Sequence, residues 1–369
     1  MLRWASNQRQ PGKKVLFAAL VFVCVLGGQL ASAGDLDNAE AARDRKHYAK
    51  AVALFRKSAS DGDAVAQFKL AGMVARGEGV KADAAEAVSL LTQSAKHGYA
   101  PAQNSLGVRY EKGLGVARDL ARATALYQQA SEQRYGLAQG NLSDFYARGL
   151  SVPKDMVLAH VWSNLASANG EARAARKRLA MERTFTPSQR SEAETNLGIM
   201  FSRGRGVEKD AKRAVMLFQT AADRGYALAQ FELAESYDKG IGIAQDYRLA
   251  AQWYEKAAAQ GHARAQMSVA YMHEIGQGVP KDARRAVHWY LQAAAKGEVI
   301  AQYNLGALLA SGRGVEQDNV EALKWLNIAE ANGSQRAAES RRLVEGLITP
   351  EQIAEAKKRA DHWNKIKSR

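Results

Sequence analysis

Two serine–lysine pairs stand three residues apart, Ser151 with Lys154 and Ser236 with Lys239. A lysine one helical turn from a serine can take its proton and make it a nucleophile for acyl transfer, provided both share a helix and a pocket. Pro153 puts the first pair in a loop, the second lies in a column that recurs for other reasons, and no Lys-Thr-Gly follows. Seven histidines (His47, His97, His160, His262, His273, His288 and His362) show no i, i+4 pair of the kind that grips zinc. Such scattered histidines read as solvated or half-buried side chains, so neither a metal nor a cofactor is expected. RGEGVKAD, from Arg76 to Asp83, carries a Gly-x-Gly of the type that cradles phosphate.

That loop is not unique. KGLGVARD ends at Asp119, RGLSVPKD at Asp155, RGRGVEKD at Asp210, KGIGIAQD at Asp246, IGQGVPKD at Asp282 and SGRGVEQD at Asp318. The spacing from Asp83 onward is 36 residues, except for one gap of 55 between Asp155 and Asp210. Upstream flanks repeat Ala-Gln-x-x-Leu, as in Ala66-Gln67 with Leu70 and Ala301-Gln302 with Leu305. A phosphate loop follows a strand and occurs once; this one follows apolar residues at helical spacing, such as Ala66, Leu70, Met73 and Val74. The glycines are therefore punctuation. Gly77 closes a helix in left-handed conformation, Arg76 complements the helix dipole, and the recurring Asp caps the next helix. Asp83 with Glu86 and Asp318 with Glu321 read as acidic capping boxes.

Each segment is thus a helix pair too small to bury its own apolar face, and pairs must stack. The column holding Trp162, Trp253, Trp289 and Trp325, with Leu54, Leu90, Leu126 and Leu217, reads as the core. Gly62, Gly98, Gly170, Gly225, Gly261, Gly297 and Gly333 form a turn column in which Arg134 stands alone. Arg134 is therefore expected in left-handed conformation if the third unit turns as the others do; the alternative is a different, unstrained turn before Tyr135.

The chain opens with Arg3, Arg9, Lys13 and Lys14 and no acid, then the uncharged VLFAALVFVCVLGGQL and Ala31-Ser32-Ala33. A basic start, an apolar run and an A-x-A site are those of a secretory signal peptide, and cleavage is expected after Ala33. The alternative is a retained anchor, since the whole uncharged run before Asp35 is just long enough to span a bilayer. Cys24, the only cysteine, lies in this run, so residues 34–369 offer no disulfide, thiolate metal site or cysteine nucleophile. The formal charge is +14, and loss of the leader removes four of 52 basic residues. In an exported protein that surplus suits anionic polysaccharide, lipid head groups or acidic partners, and nucleic acid is not expected.

The pattern A-x-A-Q-x-x-L-G, G-x-G-V-x-x-D, K-A-x-x-W-Y-x-x-A-A-x-x-G, as in AQYNLGALLASGRGVEQDNVEALKWL, resembles the Sel1-like repeat, a tetratricopeptide relative. The resemblance runs over residues 37–333, as seven full units and an N-terminal half unit. It implies an all-α fold, an α/α superhelical solenoid acting as a non-enzymatic scaffold that binds another protein or peptide. Exported bacterial members of the family imply service in envelope assembly, exopolysaccharide production or its regulation, or host contact. Some cysteine-rich relatives are linked to penicillin binding; with no cysteine in residues 34–369 this chain stands apart from them, and a penicillin-interacting hydrolase is a distant alternative.

ANGEARAARKRLAMERTFTPSQ in the long gap mirrors ANGSQRAAESRRLVEGLITPEQ after the last repeat. The chain therefore divides into a leader (1–33), a first array with its cap helix (34–184), a second array (185–333) and C-terminal cap helices with a basic tail (334–369). Two arrays hinged near 171–190 and one rod with a bulge both fit. By analogy with tetratricopeptide geometry, two columns of the first helix face a concave groove. Their members include Phe68, Asn104, Phe231, Met267 and Tyr303 in one, and Asp144, Glu235 and Tyr271 in the other. With Asp238 and Glu274 the groove is aromatic and acidic around Phe231, suiting a peptide with apolar and basic residues. A second surface is the basic patch Arg173, Arg176, Lys177 and Arg178, which could meet anionic polysaccharide or envelope lipid; such a cluster is more often a solvated face.

Overall fold

A computed structural model describes residues 34–367, and the proposed leader lies outside them. Among the described residues the chain is helical, with no strand. A first helix, α1 (34–44), precedes α2 (Tyr48–Ser60), and helix pairs follow. The pairs are α3 (Ala64–Arg76) with α4 (Ala84–Lys96), α5 (Ala100–Lys112) with α6 (Leu120–Glu132), and α7 (Gly136–Arg148) with α8 (Met156–Ala168). After α9 (Ala172–Glu182) come α10 (Pro187–Arg203) with α11 (Ala211–Asp223) and α12 (Ala227–Lys239) with α13 (Tyr247–Ala259). Then come α14 (Ala263–Ile275) with α15 (Ala283–Ala295), α16 (Val299–Ser311) with α17 (Asn319–Ala331), α18 (Gln335–Glu345) and α19 (Pro350–Lys367). No described helix is long and apolar enough to cross a membrane.

Contacts divide the chain into two compact units. One runs up to Asp155 and includes Leu165–Ala172; the other holds Met156–Asn164 and everything from Arg173. α8 is divided between the two units, and α9 from Arg173 onward falls in the second.

The loops are built as their spacing implies. Gly77, Gly113, Gly149, Gly204, Gly240, Gly276 and Gly312 end their helices in the left-handed region. The carboxylates of Asp83, Asp119, Asp210, Asp246, Asp282 and Asp318 accept backbone N–H groups of the next helix. The acidic capping boxes are only half made: Glu86 binds Arg56 at 3.0 Å and Glu321 binds Lys324 at 2.6 Å, each a better partner for a carboxylate than a lone amide. The reciprocal box belongs to Thr186 with Gln189, and Thr349 with Gln352 makes the same pair of bonds. Arg134 has φ 65 and Ser151 φ 60, the glycine conformation with a side chain attached.

The core lies one residue beyond the tryptophan column. Phe55, Leu91, Tyr127, Phe218, Tyr254, Tyr290 and Leu326 are buried, whereas Trp253, Trp289, Leu54, Leu90, Leu126 and Leu217 are only half-buried. Trp162 and Trp325 are buried, but the column as a whole is not the central one. The reason is complementary size. A Cβ on Gly107 would stand 2.7 Å from the Tyr127 ring, one on Gly198 2.6 Å from Phe218, and one on Gly306 2.9 Å from Leu326. The glycine of A-x-A-Q-x-x-L-G exists to admit that side chain.

The conserved spacing of glutamine has an equally local cause. Gln67, Gln103, Gln139, Gln230, Gln266 and Gln302 are buried, and each amide donates to the carbonyl eight residues earlier, in the last turn of the preceding helix. Those carbonyls have no partner inside their own helix. The amide oxygens of four of them accept from Gln133, Asn169, Gln260 and Asn332, thirty residues on, at 2.7–3.0 Å. One side chain thus ties three successive elements.

Candidate functional site

The two columns expected to line a groove differ in depth. In the first, Phe231 is 1% exposed and Asn104 is also buried. Phe231 lies 4.5 Å from the His262 ring, with the Arg264 guanidinium 4.8 Å above it. Phe68 meets Tyr99 edge-on at 5.4 Å, and Asn104 accepts from Asn141 at 2.9 Å. Met267 and Tyr303 are half-buried against neighbouring helices. Phe231 and Asn104 are therefore packing residues and not groove anchors: the helix start of the next repeat folds over this column.

The second column is the open one. Tyr271 is 48% exposed, with Ile275 also exposed one turn on. In the first unit, Phe68, Ala71, Leu91 and Val108 line a cavity of about 590 Å³, with Arg76 and Arg109 at its edge and Leu114 exposed beside it. Asp144 is half-buried.

The acids expected to attract a basic partner are already engaged. Tyr290 donates to Glu274 at 2.9 Å, and Arg313 holds the same carboxylate at 2.9 Å. Asp238 lies near Tyr254, and burial holds its carboxyl above the usual range. Glu235 pairs with Lys239 at 2.7 Å and Arg264 at 3.8 Å. A rule emerges across repeats. Where the core column holds tyrosine (Tyr127, Tyr254, Tyr290), a third column, three residues past that of Glu235 and Tyr271, holds an acid (Glu111, Asp238, Glu274). Where it holds Leu91, Phe218 or Leu326, the partners are Ala75, Ser202 and Ala310. A buried phenol needs an acceptor, and a leucine does not.

The glutamine column breaks once. In the repeat that follows α9 its member is Glu194, and eight residues back lies Thr186 in a loop and not the end of a helix. A carboxylate cannot donate to a carbonyl. Glu194 instead accepts from Arg224, thirty residues on, at 2.6 Å. The same seam buries His160, whose column elsewhere holds Val52, Val88, Thr124, Val215, Ala251, Val287 and Leu323. His160 Nε2 lies 2.9 Å from Glu182, which Arg178 also binds at 2.6 Å. His160, Glu182, Glu194 and Arg224 line a cavity of 350 Å³ together with Arg183, Phe185 and Arg190. Taken as one of seven scattered histidines, His160 reads as solvated or half-buried; following each column across the 55-residue gap marks both exceptions, Glu194 and His160.

Burial pushes the His160 pKa down, more than the bond to Glu182 and the charge of Glu194 raise it, while Arg178 pushes it down further. The unfolded chain then binds a proton that the folded chain refuses. Stability should fall as pH drops below the unfolded value of about 6.5 and level off below the folded one. Glu182 is shifted down, so its own contribution is lost only below the ordinary carboxylate range. Urea midpoints at about pH 7.5 and about pH 5.5 should therefore separate less in His160→Leu than in the parent protein. An unchanged separation would remove His160 as the titrating group.

In the basic patch Arg178 pairs with Glu182 and is half-buried, and Arg173, Arg176 and Lys177 are exposed. Ser236 donates to the Glu232 carbonyl and Lys239 to Glu235, so each member of that pair is held by another group. Among the described residues no three His, Cys, Asp or Glu side chains gather as metal ligands.

Stacked helix pairs with a fixed core and variable faces define a helical-repeat solenoid, a class of protein that works as a scaffold. Eight segments match the Sel1 repeat: residues 44–63, 64–99, 100–135, 136–171, 191–226, 227–262, 263–298 and 299–334. The chain belongs to the Sel1 repeat family, whose members are tetratricopeptide relatives, generally non-catalytic and generally protein-binding. Among solved structures it is similar to a protective antigen present in uropathogenic Escherichia coli strains, described as displaying an SLR fold, at 27% identity over 91% of this chain and 84% of that one, TM-score 0.41. It is also similar to a Sel1 repeat protein from Oxalobacter formigenes, at 26% identity over 70% of this chain and 96% of that one, TM-score 0.36. No curated protein matches.

Proposed function

We propose that the chain is an exported, non-enzymatic adaptor, periplasmic or secreted, that holds a partner protein in the open column of its first helices and serves envelope assembly or exopolysaccharide production or its regulation. The basic, apolar and small-residue leader supports export. One observation carries the binding surface: the 590 Å³ concavity floored by Phe68, Ala71, Leu91 and Val108. An apolar floor open to solvent rewards an apolar anchor from a partner, and Arg109 at its edge suits a carboxylate beside that anchor. The acids of the second unit, already bound to tyrosine and arginine, give a basic peptide less to hold than their number suggests.

A photoactivatable residue at Val108 or Tyr271 should crosslink a discrete partner from envelope extract, and one at the outward-facing Ala53 should not. Val108→Asp and Tyr271→Ala should keep the helicity of the parent and weaken capture by more than about 1 kcal/mol. Equal crosslinking from all three positions would sink the groove. Exposed Arg173, Arg176 and Lys177 favour a second reading, a scaffold that meets anionic polysaccharide or envelope lipid. That reading requires co-sedimentation with anionic glycan or vesicles that weakens as salt rises.

A further inference from the structure

The cap motif occurs twice, and the two copies enclose different things. In the C-terminal copy Leu323, Val344 and Ala356 are buried with Ile348 and Ile353 packed against them, an apolar core. At the seam after α8 the positions of Leu323, Ile348 and Ile353 are taken by His160, Phe185 and Arg190, and a 350 Å³ cavity stands there. The turns match: α9 and α18 are both 11 residues, and Thr186-Pro187 and Thr349-Pro350 open the following helices alike. A cap needs only the apolar version. The charged version is therefore a departure from what folding asks.

We propose that this seam cavity is a binding site for a small oxyanion, a phosphate or carboxylate group carried on a short chain. Its charges are unbalanced. Glu194 is met by Arg224 and Glu182 by Arg178, each at 2.6 Å, so both carboxylates are matched. Arg190 spends one N–H on the Glu182 carbonyl at 3.2 Å, and no acidic side chain meets its guanidinium or that of Arg183. Two guanidiniums beside one concavity leave a surplus of two positive charges, which a dianion neutralises with paired N–H···O bonds. The buried ring of Phe185, 5.2 Å from the His160 ring, and the exposed Leu179 make an apolar wall for the short chain behind the anion. His160 with Glu182 acts as a positioning pair. It fixes the end of α9, from which Arg183 and Phe185 depart.

The site is independent of the groove, and its test needs no protein partner. Calorimetric titration of the full chain with inorganic phosphate, and separately with glutarate, is compared with sodium chloride at matched ionic strength. Saturable binding is expected in at least one anion arm and none with chloride; the arm that binds more tightly names the source, phosphate or carboxylate. Arg183→Gln with Arg190→Gln removes both charge-assisted contacts and should weaken that binding by at least about tenfold, the loss expected of one such contact alone. Both side chains are exposed, so circular dichroism should be unchanged. Arg190→Ile, which copies the residue of the C-terminal cap, should fold and show the same direction of loss. No saturable binding in either arm, or equal binding in parent and variants, overturns the proposal.

Discussion

Gly278→Ala should destabilise the second unit by about 2–5 kcal/mol, combining left-handed strain with forced displacement of neighbouring backbone. Gly278 has φ 71, and a Cβ there would lie 2.2 Å from the Tyr247 carbonyl oxygen and 2.4 Å from its carbon. Backbone cannot swing aside as a lysine tip can. The second glycine of other loops docks in the same way on the first residue of the second helix one repeat earlier, Gly242 on Ala211 and Gly314 on Ala283. Gly297 isolates the conformational part: its φ is 99 and a Cβ would meet nothing within 4 Å. Gly297→Ala should therefore cost only about 1–2 kcal/mol. Urea denaturation of both variants decides the matter, and equal losses would show that the loops do not dock tightly.

That docking explains why Gly-x-Gly was readable as punctuation but only half understood. The first glycine follows from helix geometry alone, and so did the left-handed Arg134. The second depends on the repeat before it, which periodicity does not locate. Phe231 failed for the same reason. A helical column says which face a residue is on, but not that His262 of the next repeat will lie over it. The tryptophan column stands one residue away from the buried one because burial follows the small residue opposite and not bulk, Gly107 under Tyr127 and Gly306 under Leu326. His160 was invisible as a histidine and visible only as an exception in a column of Val, Ala, Thr and Leu.

The pairing of tyrosine with acid makes the last case, and it can be measured without a ligand. Glu111 stands in the final turn of α5, where a negative charge opposes the helix dipole. Asp238 and Glu274 occupy the same unfavourable place in α12 and α14. The offsetting gain is the bond from the fully buried Tyr127 to Glu111 at 2.7 Å. Glu111→Ala strands that hydroxyl and should cost about 1–3 kcal/mol. Tyr127→Phe removes the donor but keeps the ring against Gly107, leaving a pair like Phe218 with Ser202. In that background Glu111→Ala should cost close to nothing, since only the dipole and solvation of an accessible acid remain. The coupling energy from the four proteins should then be at least about 1 kcal/mol, well above the error of additive sites. If Glu111→Ala costs the same with tyrosine or phenylalanine at 127, the carboxylate is not there for the phenol, and the acidic column becomes available to a partner after all.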